Sequence, residues 1–116
     1  MADCIFCKIL DGKIPSKRLA ESDMAIAIAD ITPQAPLHAL ILPKKHVASL
    51  NDLTAADRRE ILPALYELAD QLARDKGLLE SGYRTVINNG ESAGQTVFHL
   101  HMHVLGGAGM KHGFGA

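Results

Sequence analysis

Three histidines fall within five residues, His99-Leu100-His101-Met102-His103, with apolar residues between them. In an extended strand successive side chains alternate faces, so the three imidazoles emerge together while Leu100, Met102 and Val104 turn toward a core. Imidazole is the side chain that gains and loses its proton near neutral pH. Three on one face repel one another when charged, so the stripe carries a cost that a use must offset. Three uses compete on the residues alone. The cluster can fill a polar groove or interface, hold a catalytic metal with three nitrogens, or exchange protons and groups with a substrate.

A second pattern is Cys4-Ile5-Phe6-Cys7. Its spacing suits a redox pair, a metal site or coincidence. No βαβ pattern surrounds it, which weighs against a thioredoxin-like role. The segment Asn89-Gly90-Glu91-Ser92-Ala93-Gly94 reads as a turn, and Gly94-Gln95-Thr96 could offer N–H groups and a hydroxyl to an anion. Such a turn is more often only a turn. Asp30, ahead of Pro33, has the same ambiguity between turn-opening and ligand contact.

The elements that must position these residues follow from patterning. Cys4 to Leu10 is a short helix stopped by Asp11-Gly12, and Met24 to Ala29 is a strand. A loop with Pro33 and Pro36 leads into the apolar run His38 to Leu42, a buried strand closed by Pro43. A long helix spans about Ala55 to Lys76, with Thr54 at the N-cap, Asp57 three residues on, and Gly77 as the stop. Ile61, Leu65, Leu68 and Leu72 form its apolar stripe. Pro63 predicts a bend near Arg59 to Pro63, or a restart there. Tyr83 to Asn88 and Thr96 to Leu105 are strands joined by a tight turn, the second ended by Gly106-Gly107. Strands on both sides of one long helix give the α+β class, an antiparallel meander with the helix on one face.

The 116 residues suffice for one domain, spanning 1–116. Hydrophobic residues are 47% and charged residues 22%, as in an ordinary globular protein. A net charge of −1 provides no basic field for nucleic acid, so a small ligand in a local site is expected. No run approaches the roughly 20 apolar residues that cross a bilayer. The start Met1-Ala2-Asp3-Cys4 lacks a basic then apolar leader, so the cytoplasm is the expected compartment, without membrane attachment.

His99 to Leu105 resembles the His-x-His-x-His-x-x signature of the histidine triad (HIT) family. The likeness extends in order through Asp30-Ile31-Thr32-Pro33-Gln34-Ala35-Pro36-Leu37-His38, Pro43-Lys44-Lys45-His46, Gly94-Gln95-Thr96 and Gly106-Gly107. It is most similar to the purine nucleoside phosphoramidase branch. The resemblance implies a five-stranded antiparallel sheet with one long and one short helix, paired into a homodimer by continuing the sheet and packing the long helices. It implies hydrolysis of purine nucleoside 5′-phosphoramidates or aminoacyl adenylates, with His101 as the nucleophile. His103 would meet the phosphate oxygens and His38 would orient the site. Gly94, Gln95 and Thr96 would hold the phosphate, Asp30, Ile31 and Asn88 would contact the ribose, and Met102 would belong to the nucleotide-binding set. Ile5, Phe6 and Ile28 would make the base slot.

In some members a Cys pair joins the histidine of the Pro-Lys-x-His segment and the first triad histidine around structural zinc. Here those are Cys4, Cys7, His46 and His99. Catalysis itself would need no cofactor. His103 stands where a transferase branch has glutamine, which favours hydrolysis. Ala93 and Thr96 stand where the family commonly has glycine and serine. The tail Met110 to Ala116, implied to approach the partner's site, is glycine-rich and lacks tryptophan. A dinucleoside polyphosphate hydrolase and a regulatory nucleotide-binding protein with vestigial activity are the competing readings.

Overall fold

The computed structural model describes residues 4–110. Five strands form one antiparallel sheet: β1 (Arg18–Glu21), β2 (Ala25–Ala29), β3 (Leu37–Pro43), β4 (Tyr83–Val86) and β5 (Met102–Gly106). Their spatial order is β1-β2-β3-β5-β4, so the meander holds through β3. The chain then passes through the long helix to the edge strand β4 and returns as β5 between β4 and β3.

Apart from His38, β3 is apolar, and it is buried along its whole length, because both of its faces are covered. Leu37, Ala39 and Ile41 join Met102 and Val104 beneath α2 (Ala55–Asp75). Leu40 and Leu42 join Ile26 and Ile28 beneath α1 (Ile5–Leu10). Period-two alternation therefore puts His38 and His103 on the α1 face. The β3–β5 register sets Leu40 opposite His103 and His38 opposite Leu105, leaving the two histidines diagonal neighbours.

α2 forms as its sequence demands. The Thr54 hydroxyl accepts the Asp57 N–H at 3.0 Å, and the stripe Ile61, Leu65, Leu68 and Leu72 is buried. At its end the Leu78 N–H reaches the Ala73 carbonyl and the Gly77 N–H the Arg74 carbonyl. That paired closure needs a left-handed residue, and Gly77 supplies it at φ +69°. Thr54→Ala is expected to cost about 1 kcal/mol through the lost cap, measured by urea unfolding.

Three expectations need correction. The helix continues as one element through Pro63 and does not restart there. Pro63 and Arg59 both face solvent, so the ring meets no packing and the freed Arg59 carbonyl can bond to water. The last strand begins at Met102, not Thr96. The register would place Leu100 opposite Pro43, which has no N–H. The Pro43 carbonyl is taken by the His99 ring, and the Leu100 N–H turns to the Val47 carbonyl. Finally, β4 and β5 are joined by the long segment 87–101, which contains a 3₁₀ turn at Glu91–Ala93, not by a tight hairpin. Asn89 anchors that segment by accepting the Leu50 N–H at 2.8 Å.

Among the described residues, no helix is long and apolar enough to cross a membrane.

Candidate functional site

His38 and His103 lie within the β3–β5 ladder on the α1 face, and His99 and His101 come just before β5 in the chain. Their protons can be placed from their partners. The Gln34 N–H donates to His38 Nδ1 at 3.0 Å, so the His38 proton resides on Nε2. That N–H lies 2.9 Å from His103 Nδ1 and 3.3 Å from the Asp30 carboxylate. With His103 accepting at Nδ1, its own proton sits on Nε2. His101 is set the opposite way. Its Nδ1–H donates to the His99 carbonyl at 2.8 Å, leaving the Nε2 lone pair bare. The His101 and His103 rings stand 5.2 Å apart between centroids.

Burial is the main cause that lowers the pKa of both His101 and His103 below the ordinary imidazole value. For His103 the neighbouring His101 and His38 add to it, with Asp30 opposing. Both rings are held neutral at pH 7, one with a free nitrogen lone pair and the other with a free N–H. A neutral nitrogen whose tautomer is fixed from behind is what nucleophilic attack requires.

His99 points elsewhere and is fully buried. Its Nε2–H donates to the Pro43 carbonyl at 2.9 Å, aiming Nδ1 at Cys4 Sγ (3.4 Å), Cys7 Sγ (3.6 Å) and His46 Nδ1 (3.1 Å). Cys7 Sγ lies 3.3 Å from His46 Nδ1. A tetrahedral zinc ion sets S–N edges near ~3.5 Å and N–N edges near ~3.3 Å, given its usual bond lengths. Two thiols and two imidazoles at this spacing can hold a metal ion. The carbonyl behind His99 is the outer-shell partner that metal-binding histidines use. Burial, then the adjacent Cys4 sulfur, pushes the Cys7 thiol up to about 11. A bound cation reverses that preference by stabilising thiolate.

Asp30, His38 and His103 also lie close enough together to suggest a cation site. Their protonation argues otherwise, because His38 already accepts at Nδ1 and would have to lose its only ring proton. They form a hydrogen-bonded chain. The three triad histidines do not converge on one point, so a three-histidine metal centre is not formed by the described residues.

The other expected residues are scattered more widely. Asp30 Oδ1 accepts the Thr32 N–H at 2.8 Å and its hydroxyl at 3.2 Å, so the carboxylate closes a turn while facing His38. Ile31 is 95% exposed and packs on nothing. Met102 belongs to the α2-side core, so its side chain faces away from the site. Phe6 and Ile28 are buried in the core under α1, while Ile5 is exposed, so the three do not form an open slot. Asn88 lines a cleft of about 240 Å³ with Gln34, His38, Arg84 and His103.

In the loop, the Gly94 and Gln95 N–H groups are spent on the Glu91 and Gly90 carbonyls. The Gln95 side chain is 3% exposed and accepts from the Gly90 N–H while donating to the Ala48 and Val97 carbonyls. It braces the loop. Thr96 stays exposed with its hydroxyl unengaged among the described residues. Gln34, Arg84 and the Pro43 carbonyl were missed by sequence reasoning. Two of these act through backbone atoms, which leave no mark in residue type. The tail 111–116, expected near a partner's site, lies outside the described residues.

Fold and site together define a small α+β protein that presents tautomer-fixed histidines from the end of an antiparallel sheet. The HIT domain matches residues 11–110, and the chain belongs to the HIT family. It is 39% identical over 105 residues to the purine nucleoside phosphoramidase of Escherichia coli, covering 90% of this chain and 87% of that one. A crystal structure of a HIT family hydrolase from Legionella pneumophila superposes with a TM-score of 0.89 at 46% identity, covering 94% and 96% of the two chains. A zinc-bound histidine triad family protein from Mycobacterium smegmatis superposes at 0.78 with 34% identity, covering 90% of this chain and 74% of that one.

Proposed function

We propose that this protein hydrolyses the P–N bond of purine nucleoside 5′-phosphoramidates, and the related bond of aminoacyl adenylates, through a nucleotidyl-His101 intermediate. The observation that carries the reading is the His101 Nδ1–H bond to the His99 carbonyl, which leaves Nε2 as a neutral nucleophile. Nε2 attacks phosphorus, the P–N bond breaks, and the amine leaves with a proton drawn from a nearby donor. Water then attacks the phosphorus of the intermediate, releasing the nucleoside monophosphate and restoring the imidazole.

In this reading His103 Nε2–H meets a phosphate oxygen and stabilises the charge that develops there. His38 orients His103 through the 2.9 Å bond between them. Thr96 offers its hydroxyl to the phosphate from the turn that Gly94 and Gln95 shape. Asp30 and Asn88 meet the ribose. Cys4, Cys7, His46 and His99 would hold zinc, as a structural site closed by four protein ligands. When bound it ties α1 to the histidine segment, and no chemical step passes through it. A second copy of the chain continues the sheet to form a homodimer. Two cysteines outside any disulfide and a nucleotide substrate suit the cytoplasm. The similarity to the E. coli enzyme supports the choice of substrate.

The test is steady-state release of AMP from adenosine 5′-phosphoramidate by the full chain. Multiple turnovers are expected. A folded, metal-loaded protein that binds AMP without releasing it from this substrate would return the function to nucleotide binding. Cleavage confined to a diadenosine polyphosphate would move it to that branch.

A further inference from the structure

We propose that Cys7 is a thiol-exchange site for small anionic disulfides, and that exchange there closes a Cys4–Cys7 disulfide and releases the metal ion from the cluster. The inference rests on reading Cys4, Cys7, His46 and His99 as metal ligands. Of the two sulfur residues, Cys7 is the one that faces a cavity. With His46 it lines an open cleft of about 450 Å³ beside α1, a size that takes a small organic ligand.

The charge around the cleft selects an anion. Lys8, Lys13 and Lys44 line it against the single acid Asp11. Lys44 is paired with Glu21 at 2.8 Å. Arg18 adds a guanidinium from beside the rim, where it donates to the Leu10 carbonyl at 3.2 Å. Among the described residues around the cleft, four cations therefore meet two acids. The chain as a whole carries a net charge of −1, so this is a local excess of positive charge. Such a patch raises the local concentration of a small anion and speeds its encounter with the wall that holds Cys7.

Cys4 is placed to be the second thiol. Its Sγ accepts the Cys7 N–H at 3.2 Å, which folds it back over the first turn of α1. The two sulfurs lie within 4.8 Å of each other. Residues three apart on a helical turn stand ~5–6 Å apart, inside the Cα span of ~4.4–6.8 Å that a disulfide bridges. Cys7 Sγ, a thiolate when a cation is bound, attacks one sulfur of the reagent, whose S–S bond breaks as a thiolate leaves. Cys4 Sγ then attacks Cys7 Sγ and expels the second thiolate. The cysteine pair loses two electrons and the reagent gains them, so no other oxidant enters. His46 and His99 alone remain of the four ligands, too few to close a zinc site.

The experiment treats the full, metal-loaded chain with glutathione disulfide and, separately, with uncharged hydroxyethyl disulfide. A chromogenic chelator follows metal release, and mass spectrometry of unreduced peptides follows the thiols. Metal and a Cys4–Cys7 disulfide are expected to appear one for one, and reductant with added zinc should reverse both. Lys8→Gln combined with Lys13→Gln should slow release by glutathione disulfide about tenfold at low salt and change release by hydroxyethyl disulfide less than about twofold. Added salt should slow the glutathione disulfide reaction of wild type in the same selective way, a reading that stands even if the double variant does not fold. Retained metal with both thiols intact, release without a Cys4–Cys7 disulfide, or a rate indifferent to both lysines and salt would overturn the proposal. A chain that carries no metal before treatment would remove the metal reading and this inference with it, at a step that tells the two failures apart.

Discussion

His101→Ala is expected to lower kcat for AMP release by about 10⁴-fold or more, equivalent to about 5.4 kcal/mol of transition-state stabilisation. Alanine removes the atom that forms the covalent bond, and no neighbour can replace it. His103 Nδ1 is occupied by the His38 N–H, and His103 Nε2 bears a proton. His99 Nδ1 faces the cysteines. The variant should keep the fold, since the His99 carbonyl, once deprived of its partner, can bond to water that enters the vacated space. AMP affinity should change by only a few-fold. Circular dichroism and AMP titration separate this result from simple unfolding.

The second large effect is expected at the Cys₂His₂ cluster. Replacing Cys4 and Cys7 together with serine, or stripping the metal with a chelator, should lower the thermal midpoint by roughly 15 °C. The arithmetic is mass action. A metal held at about a thousand times its dissociation constant adds about 4 kcal/mol to the folded state, and a domain of this size shifts several degrees per kcal/mol. The ligands come from the N-cap and first turn of α1, the segment after β3 and the segment before β5, so a bound ion would close three otherwise separate pieces of chain. Metal analysis of the purified protein with calorimetry of loaded and stripped samples reads the effect. Equal midpoints for the two samples would remove the metal from the account of stability.

Much of this architecture is legible in the residues. The apolar run of β3 from Ala39 to Pro43 announces a strand covered on both sides. The α2 stripe, its Thr54 cap and the Gly77 stop mark the helix to within a residue at each end. Alternation in His99 to Val104 predicts that Leu100, Met102 and Val104 join the core, as they do beneath α2, whereas His99 turns away from His101 and His103 toward the cysteines. The Cys-x-x-Cys pair and its two histidine partners are suggested by family resemblance and then gathered by the fold.

What sequence reading missed depends on backbone atoms and on register. The start of β5 depends on what lies opposite it, and only the pairing with Pro43 shows why Leu100 cannot join the ladder. β1 is a four-residue edge strand with a register shift between Arg18 and Ala20, too short and too polar to show a period. The Gln34 N–H and the His99 and Pro43 carbonyls choose the tautomers of His38, His101 and His99. Almost any residue could supply those backbone groups, proline alone lacking the N–H, so no side-chain pattern reveals them. Gln95 looks like a ligand residue in a glycine turn, yet it is used up in bracing the loop.

The central claim is that His101 Nε2 forms a bond to phosphorus. Its most direct test is rapid acid-free quenching of the full chain with adenosine 5′-phosphoramidate, followed by peptide mass spectrometry. The account predicts an adenylyl group on the peptide containing His101, formed within one turnover, discharged to AMP by water and absent from His101→Ala. Turnover at the full rate with no modified peptide at any quench time, or an adenylyl group on another residue, would contradict it.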